Sequence, residues 1–157
     1  MPEAYPFTLP SFLKSGKSRS QPAKFSQADP RRGPGYKQGT GTDVPVFWDL
    51  TFLFKPDEAI AFQLWGTQKL NNWMDDFVMP IRTEFGLLDH VCSFLPDTLL
   101  PVNEDGPLFR YTAKIMARAQ IIPDAFKDAA DLIIGLPNWR LWADYLDVTV
   151  NQAMPEA

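Results

Sequence analysis

The chain has 157 residues, 45% of them hydrophobic, 13% aromatic and 22% charged. That is enough apolar material for one core and too much for a wholly disordered protein. No apolar run approaches the roughly 20 residues of a membrane-spanning helix, and the start shows no signal-peptide pattern, so folding and assembly in the cytoplasm are expected.

Charge is distributed unevenly. Residues 1–42 hold seven Lys or Arg against two acids, whereas residues 43–157 hold eight against seventeen, for a formal net charge of −4. The first of these stretches is also rich in Ser, Pro and Gly, and 11–41 reads as an extended arm that orders against a partner of opposite charge. Its cations are Lys14, Lys17, Arg19, Lys24, Arg31, Arg32 and Lys37. They could meet an acidic neighbouring subunit or the phosphates of nucleic acid. The acidic remainder of the chain, with no recognised nucleic-acid module, favours the subunit. Gly33-Pro34-Gly35 and Gly39-Thr40-Gly41 lack the Lys-Ser/Thr and following helix of a phosphate loop and read as a flexible turn region.

Residues 46–54 predict a strand, with Trp48, Leu50, Phe52 and Phe54 on one face and Phe47, Asp49, Thr51 and Leu53 on the other. Both faces are largely apolar, as in a strand that the fold covers on two sides, or that the fold covers on one side and a partner on the other. Lys55-Pro56-Asp57-Glu58 then starts a helix, because proline suits the first turn and acids there complement the helix dipole. The helix is expected over 57–71. Ala61, Phe62, Trp65 and Trp73 share one arc while Ile60, Leu64 and Leu70 fall outside it, which predicts burial on more than one side. Trp65 and Trp73 read as core anchors rather than a platform for bases, and Trp65 is also counted among the contact residues of an assembled form.

Two further strands are expected at 77–84 and 87–95 around Phe85-Gly86, with Pro80 favouring an edge or a bulge. Pro96-Asp97 and Asn103-Glu104-Asp105-Gly106-Pro107 read as turns. From 110 to 121 the period is two: Tyr111, Ala113, Ile115, Ala117, Ala119 and Ile121 alternate with Arg110, Thr112, Lys114, Met116, Arg118 and Gln120. The polar face carries Arg110, Lys114 and Arg118 in a row, either solvated, or lining a channel or meeting a neighbouring subunit. This order of elements predicts a mainly β domain over 43–123, a small antiparallel sandwich or barrel with one flanking helix.

Residues 124–157 read as a helical extension. A helix over 126–134 is stopped by Gly135 and Pro137, and 138–145 forms a second amphipathic piece, with Trp139, Trp142 and Leu146 on one stripe. Such a stripe folds back on the domain or meets another protein. Catalysis finds little to work with. His90 and Cys92 alternate onto one side of a strand, too few for a closed zinc site and without a third group to orient a catalytic pair. Cys92 reads as a buried small hydrophobe and His90 as a half-buried sheet residue. Asp57-Glu58 and Asp75-Asp76 have local explanations, in a helix start and a loop. No catalytic, cofactor or metal residue is assigned.

The succession Gly35-Tyr36-Lys37-Gln38, Phe47-Trp48-Asp49-Leu50-Thr51-Phe52, Lys55-Pro56-Asp57-Glu58-Ala59 and the apolar residues up to Trp73 resembles the minor tail protein family of long-tailed bacteriophages. Within that family it is most similar to the lambda-type tail-tip proteins. Their pattern is a Gly-Tyr-x-Gln turn, a strand, a Pro-x-Glu-Ala helix opening and a closing alternating strand, matched here over about 30–123. The resemblance implies a tail-tube-type β-sandwich in a homo-oligomeric, hexameric ring that joins the tube protein to the hub at the tail tip. It implies a virion protein without enzymatic activity or membrane contact, near nucleic acid only as the passing genome. Arg110, Lys114 and Arg118 would face the lumen, and Arg31, Arg32, Tyr36, Phe47, Asp49, Trp65, Trp139 and Trp142 would meet subunits or tail partners. A tail terminator or head-to-tail connector ring shares the fold, and a small nucleic-acid-binding protein acting through the arm is the alternative from another class. The chain departs from the family at both ends, in its first thirty residues and after 123.

Overall fold

The structure, a computed structural model, describes residues 1–96, 102–136 and 138–142, with the backbone alone at 102–105. The chain divides into two compact units, Met1–Ile121 and Ile122–Ala157.

The first unit is mainly β. Its strands are β1 (Glu3–Ala4), β2 (Ser18–Ser20), β3 (Phe25–Ala28), β4 (Tyr36–Gly39), β5 (Val46–Phe54), β6 (Phe77–Thr83), β7 (Gly86–Phe94), β8 (Val102–Asp105) and β9 (Leu108–Ala117). Seven of them form one open sheet in the order β1-β6-β7-β9-β5-β2, with β8 beside β9, while β3 and β4 pair only with each other. Every pairing is antiparallel except that of β1 with β6.

The centre is the β5–β9 pair, in register from Val46 opposite Ala117 to Phe54 opposite Phe109. Their period-two patterns coincide, so Val46, Trp48, Leu50, Phe52 and Phe54 share a buried face with Tyr111, Ala113, Ile115 and Ala117. The strand predicted to run to 121 ends at Ala117, and Arg118 lies in the bend beyond it. The β6–β7 hairpin turns through Glu84 and Phe85, between Thr83 and Gly86. Gly86 has φ 110°, a conformation that glycine adopts without a Cβ clash. Pro80 sits past the two residues by which β1 borders β6, so its missing N–H costs little there.

Helix α1 (Pro56–Leu64) begins as expected, with the Glu58 carboxylate accepting the Lys55 backbone N–H at 2.8 Å. It continues as a wider π-helical turn, Trp65–Lys69. Only one side is buried: Ala59, Phe62, Trp65, Gly66 and Leu70 face the core, while Ile60, Ala61 and Leu64 are exposed. The expectation of burial on several sides is therefore corrected; the sheet covers a single face of the helix. Asn71, Asn72 and Trp73 follow in left-handed backbone at φ 47°, 57° and 68°, reversing the chain. This reversal returns the Trp73 indole onto Gly66, whose carbonyl accepts the Trp73 backbone N–H at 3.0 Å.

Other expectations are corrected at the N-terminus and in the turns. Residues 1–20 are not a free arm: β1 and β2 extend the sheet, Leu9 is buried, and Tyr5 and Phe12 pack against the core. The oppositely charged partner of Arg19 is this chain's own Glu84, bound through both guanidinium nitrogens at 2.8 and 2.6 Å, and the Lys17 ammonium donates to the Arg82 carbonyl. Gly-Tyr-Lys-Gln is mostly strand rather than turn, because Tyr36–Gly39 pairs with Phe25–Ala28. Likewise Asn103, Glu104 and Asp105 belong to β8, leaving the turn to Gly106 and Pro107. Asp97 lies outside the described residues.

In the second unit the single helix predicted at 126–134 is two short ones, α2 (Asp124–Asp128) and α3 (Ala130–Gly135), broken at Ala129. A helical turn at 139–142 follows. Leu146 of the predicted stripe, with 143–145 of the predicted second piece, lies outside the described residues.

Candidate assembly surfaces

Three surfaces collect most of the residues singled out in the sequence. The first is the β3–β4 hairpin. Phe25 lies opposite Gly39 and Ala28 opposite Tyr36, so Phe25, Gln27 and Lys37 share one face while Ser26, Tyr36 and Gln38 share the other. Phe25 is 50% exposed and Tyr36 59%. The Lys37 ammonium sits 5.2 Å from the centre of the Phe25 ring, within cation–π range. Arg31 and Arg32 are exposed in the connecting loop, and Lys24 precedes the first strand. Lys24, Arg31 and Arg32 have no ion pair among the described residues. Sequence reasoning named Tyr36 and both arginines but missed Phe25; its only local sign was the short Phe-Ser-Gln-Ala run facing Tyr-Lys-Gln-Gly.

The second surface is the outward face of β5 and β9. Phe47 and Asp49 are partly and fully exposed, and the register sets them opposite Met116 and Lys114, with Leu53 opposite Arg110. The row of cations is thus interleaved with apolar and acidic residues. Asp49 also accepts a hydrogen bond from the Ser18 hydroxyl at 2.7 Å. Arg118 leaves the row altogether: past the end of β9, its guanidinium pairs with Asp76 at 3.0 Å.

The third is in the helical unit. Phe126, Leu132, Ile133, Leu136, Trp139 and Trp142, with Ala125 and Ala129, line an almost wholly apolar groove of about 570 Å³. Phe126 and Trp139 meet edge to face at 6.1 Å, and the Arg140 guanidinium covers the Trp139 ring at 5.4 Å. Trp142 remains 59% exposed. Both tryptophans thus stand together, as their spacing predicted.

Trp65 joins none of these surfaces. It is only 6% exposed and packs edge-on against Tyr5, Trp73, Phe77 and Phe94, so its assignment as a contact residue is corrected: the core consumes it.

His90 and Cys92 are both buried, and His90, at 1% exposure, is far from half-buried. Its ring stands edge to face on Trp48 at 5.2 Å, and Nδ1 lies 2.9 Å from the Leu88 carbonyl oxygen. That contact calls for Nδ1–H as the donor and leaves Nε2 a buried acceptor without a partner among the described residues. Burial pushes the imidazole below its ordinary pKa, against the opposing effect of the Leu88 bond, with smaller influences from Lys17 and Asp89. Burial also pushes the Cys92 thiol up to about 12, so the sulfur stays protonated and poorly nucleophilic.

Among the described residues no helix is long and apolar enough to cross a membrane, and no three His, Cys, Asp or Glu side chains gather as a metal site. The chain matches no family model, no curated protein and no solved structure.

Proposed function

We propose that the protein is a structural, non-enzymatic virion component, a subunit of a homo-oligomeric ring at the distal end of a long-tailed phage tail. In this reading it adopts a tail-tube-type β-sandwich and joins the tube protein to the tail-tip hub. The observation that carries the proposal is where the apolar surface lies. Among the described residues the buried core holds none from the β3–β4 hairpin, and the hairpin and the helical unit expose Phe25, Tyr36, Leu132, Ile134, Leu141 and Trp142. Aromatic side chains held in water outside the core suit contact with another protein. His90 and Cys92, which carry titratable groups, are sealed in packing instead.

The order of strand, helix, hairpin and alternating strand supports a ring subunit of this architecture, which a tail terminator or connector ring shares, and the tail-tip position is taken from the sequence resemblance. The mixed face of Phe47, Asp49, Arg110 and Lys114 suits a subunit contact or a wetted lumen wall better than continuous phosphate binding.

Mass in solution by light scattering at low and high salt, with electron microscopy of the same sample, tests the proposal. Closed rings at both salt concentrations are expected, since aromatic burial is not screened. A monomer at both, or a species that grows only when DNA is added and dissociates steeply with salt, would overturn it.

A further inference from the structure

Two surfaces that the core leaves unused are complementary to each other. The hairpin is basic and aromatic: over 22–42 it carries Lys24, Arg31, Arg32 and Lys37 against Asp29 alone, with Phe25 and Tyr36 standing out on opposite faces. A two-stranded hairpin with polar strands is marginal in water by itself, so a partner that takes up its aromatics also holds it in shape. The helical unit is acidic and grooved: residues 122–157 hold six acids against Lys127 and Arg140. Asp124, Asp128 and Asp131 are all exposed on the helices that form the groove. Asp124 is engaged by Lys127 at 2.8 Å, while Asp128 and Asp131 have no ion pair among the described residues. The groove volume falls within the roughly 300–1,000 Å³ of clefts that enclose ligand-sized groups.

We infer that the β3–β4 hairpin of one copy docks on the helical unit of a second copy. An aromatic side chain of the hairpin enters the groove between Phe126, Leu132, Trp139 and Trp142, and the hairpin cations face Asp128 and Asp131. The inference rests on the ring reading and deepens it by naming the contact. Because the two patches differ, each copy offers one and receives on the other, a head-to-tail arrangement that forms a ring when the rotation between copies closes. Apolar insertion supplies the affinity, and the charges set orientation and exclude a hairpin-to-hairpin contact.

The test uses the full chain and charge reversal on both sides. K24E/R31E/R32E/K37E and D128K/D131K alter exposed positions outside the sheet core, and each should melt with the wild type. Sedimentation of the two variants separately should show assembly weakened on the order of tenfold or more, as expected for losing several exposed ion pairs and gaining repulsions. Mixed in equal amounts they should assemble again, since each reversed hairpin meets a reversed groove. F25A/Y36A, which retains all charges, should also fail to assemble. Wild-type rings that persist in either charge-reversed variant, or a mixture that stays dissociated, would overturn this inference and leave the ring reading standing. A monomeric wild type would overturn both.

Discussion

Gly66→Ala is the most exposing single perturbation of this core. A methyl at Gly66 would overlap Cζ2, Cε2 and Cη2 of Trp73, which belong to a rigid ring that cannot bend aside. Trp73 is held by edge and tilted contacts to Phe62 at 5.0 Å, Phe94 at 5.2 Å and Trp65 at 6.1 Å. Accommodating the methyl therefore means overpacking, at about 1–3 kcal/mol, or expelling the indole, which approaches the roughly 3–5 kcal/mol of a large-to-small aromatic deletion. Alanine's helix propensity works the other way by about 1 kcal/mol. Overlap with three atoms of a rigid ring is too deep for small shifts, so expulsion governs and a net loss of about 2–4 kcal/mol is expected, read from the urea midpoint at unchanged slope. The decisive comparison is the double-mutant cycle with Trp73→Ala. With the indole removed the clash is gone, so Gly66→Ala on that background should be neutral or stabilising. If Gly66→Ala alone stays within about 0.5 kcal/mol of wild type, the scatter of an ordinary surface change, or costs the same with and without Trp73, the packing account is wrong.

Three other outcomes follow from the same structure. His90 is neutral in the fold with a depressed pKa, so the unfolded chain binds the extra proton; stability is full above the ordinary imidazole pKa near 6.5 and falls as the pH drops toward the folded value. His90→Gln should flatten that slope between pH 7 and 5.5, and a slope unchanged in the variant would assign the effect to other groups. Cys92 should resist thiol reagents in the native protein and react at the rate of unfolding, so rapid labelling without denaturant would contradict its burial. Removing residues 1–21 takes away β1, β2, Leu9 and the packing of Tyr5 and Phe12, and should abolish cooperative folding. Replacing 24–40 by a short Gly-Ser link should leave the melting temperature within a few degrees; equal damage from both deletions would refute the distinction between sheet and hairpin.

The legible parts of this chain were those whose pattern lies within one segment. The alternation of β5 and β9, the helix start at Lys55 to Glu58, and the β6–β7 hairpin all follow from neighbours one to four residues apart, and the structure places them near the expected boundaries. The pairing of Trp139 with Trp142 was equally local. Basic charge in the first forty residues was also plain, but its use was not.

What the sequence by itself determined is the mainly β character, the face that β9 buries, and the segregation of basic from acidic stretches, because strand period and composition are properties of contiguous residues. Only the tertiary structure decided where short segments without a period of their own go. Ser18–Ser20 becomes a strand because the edge of β5 offers unpaired backbone groups, and Arg19 finds Glu84 from 65 residues away. The same distance effect puts Trp73 on Gly66, takes Trp65 from the surface, and seals His90 against Trp48. It also keeps the hairpin of Phe25 and Tyr36 out of the main sheet, since β2 and the residues around Leu13 already border β5. These choices depend on which surfaces remain unsatisfied once the sheet has formed, and no local window of sequence contains that competition.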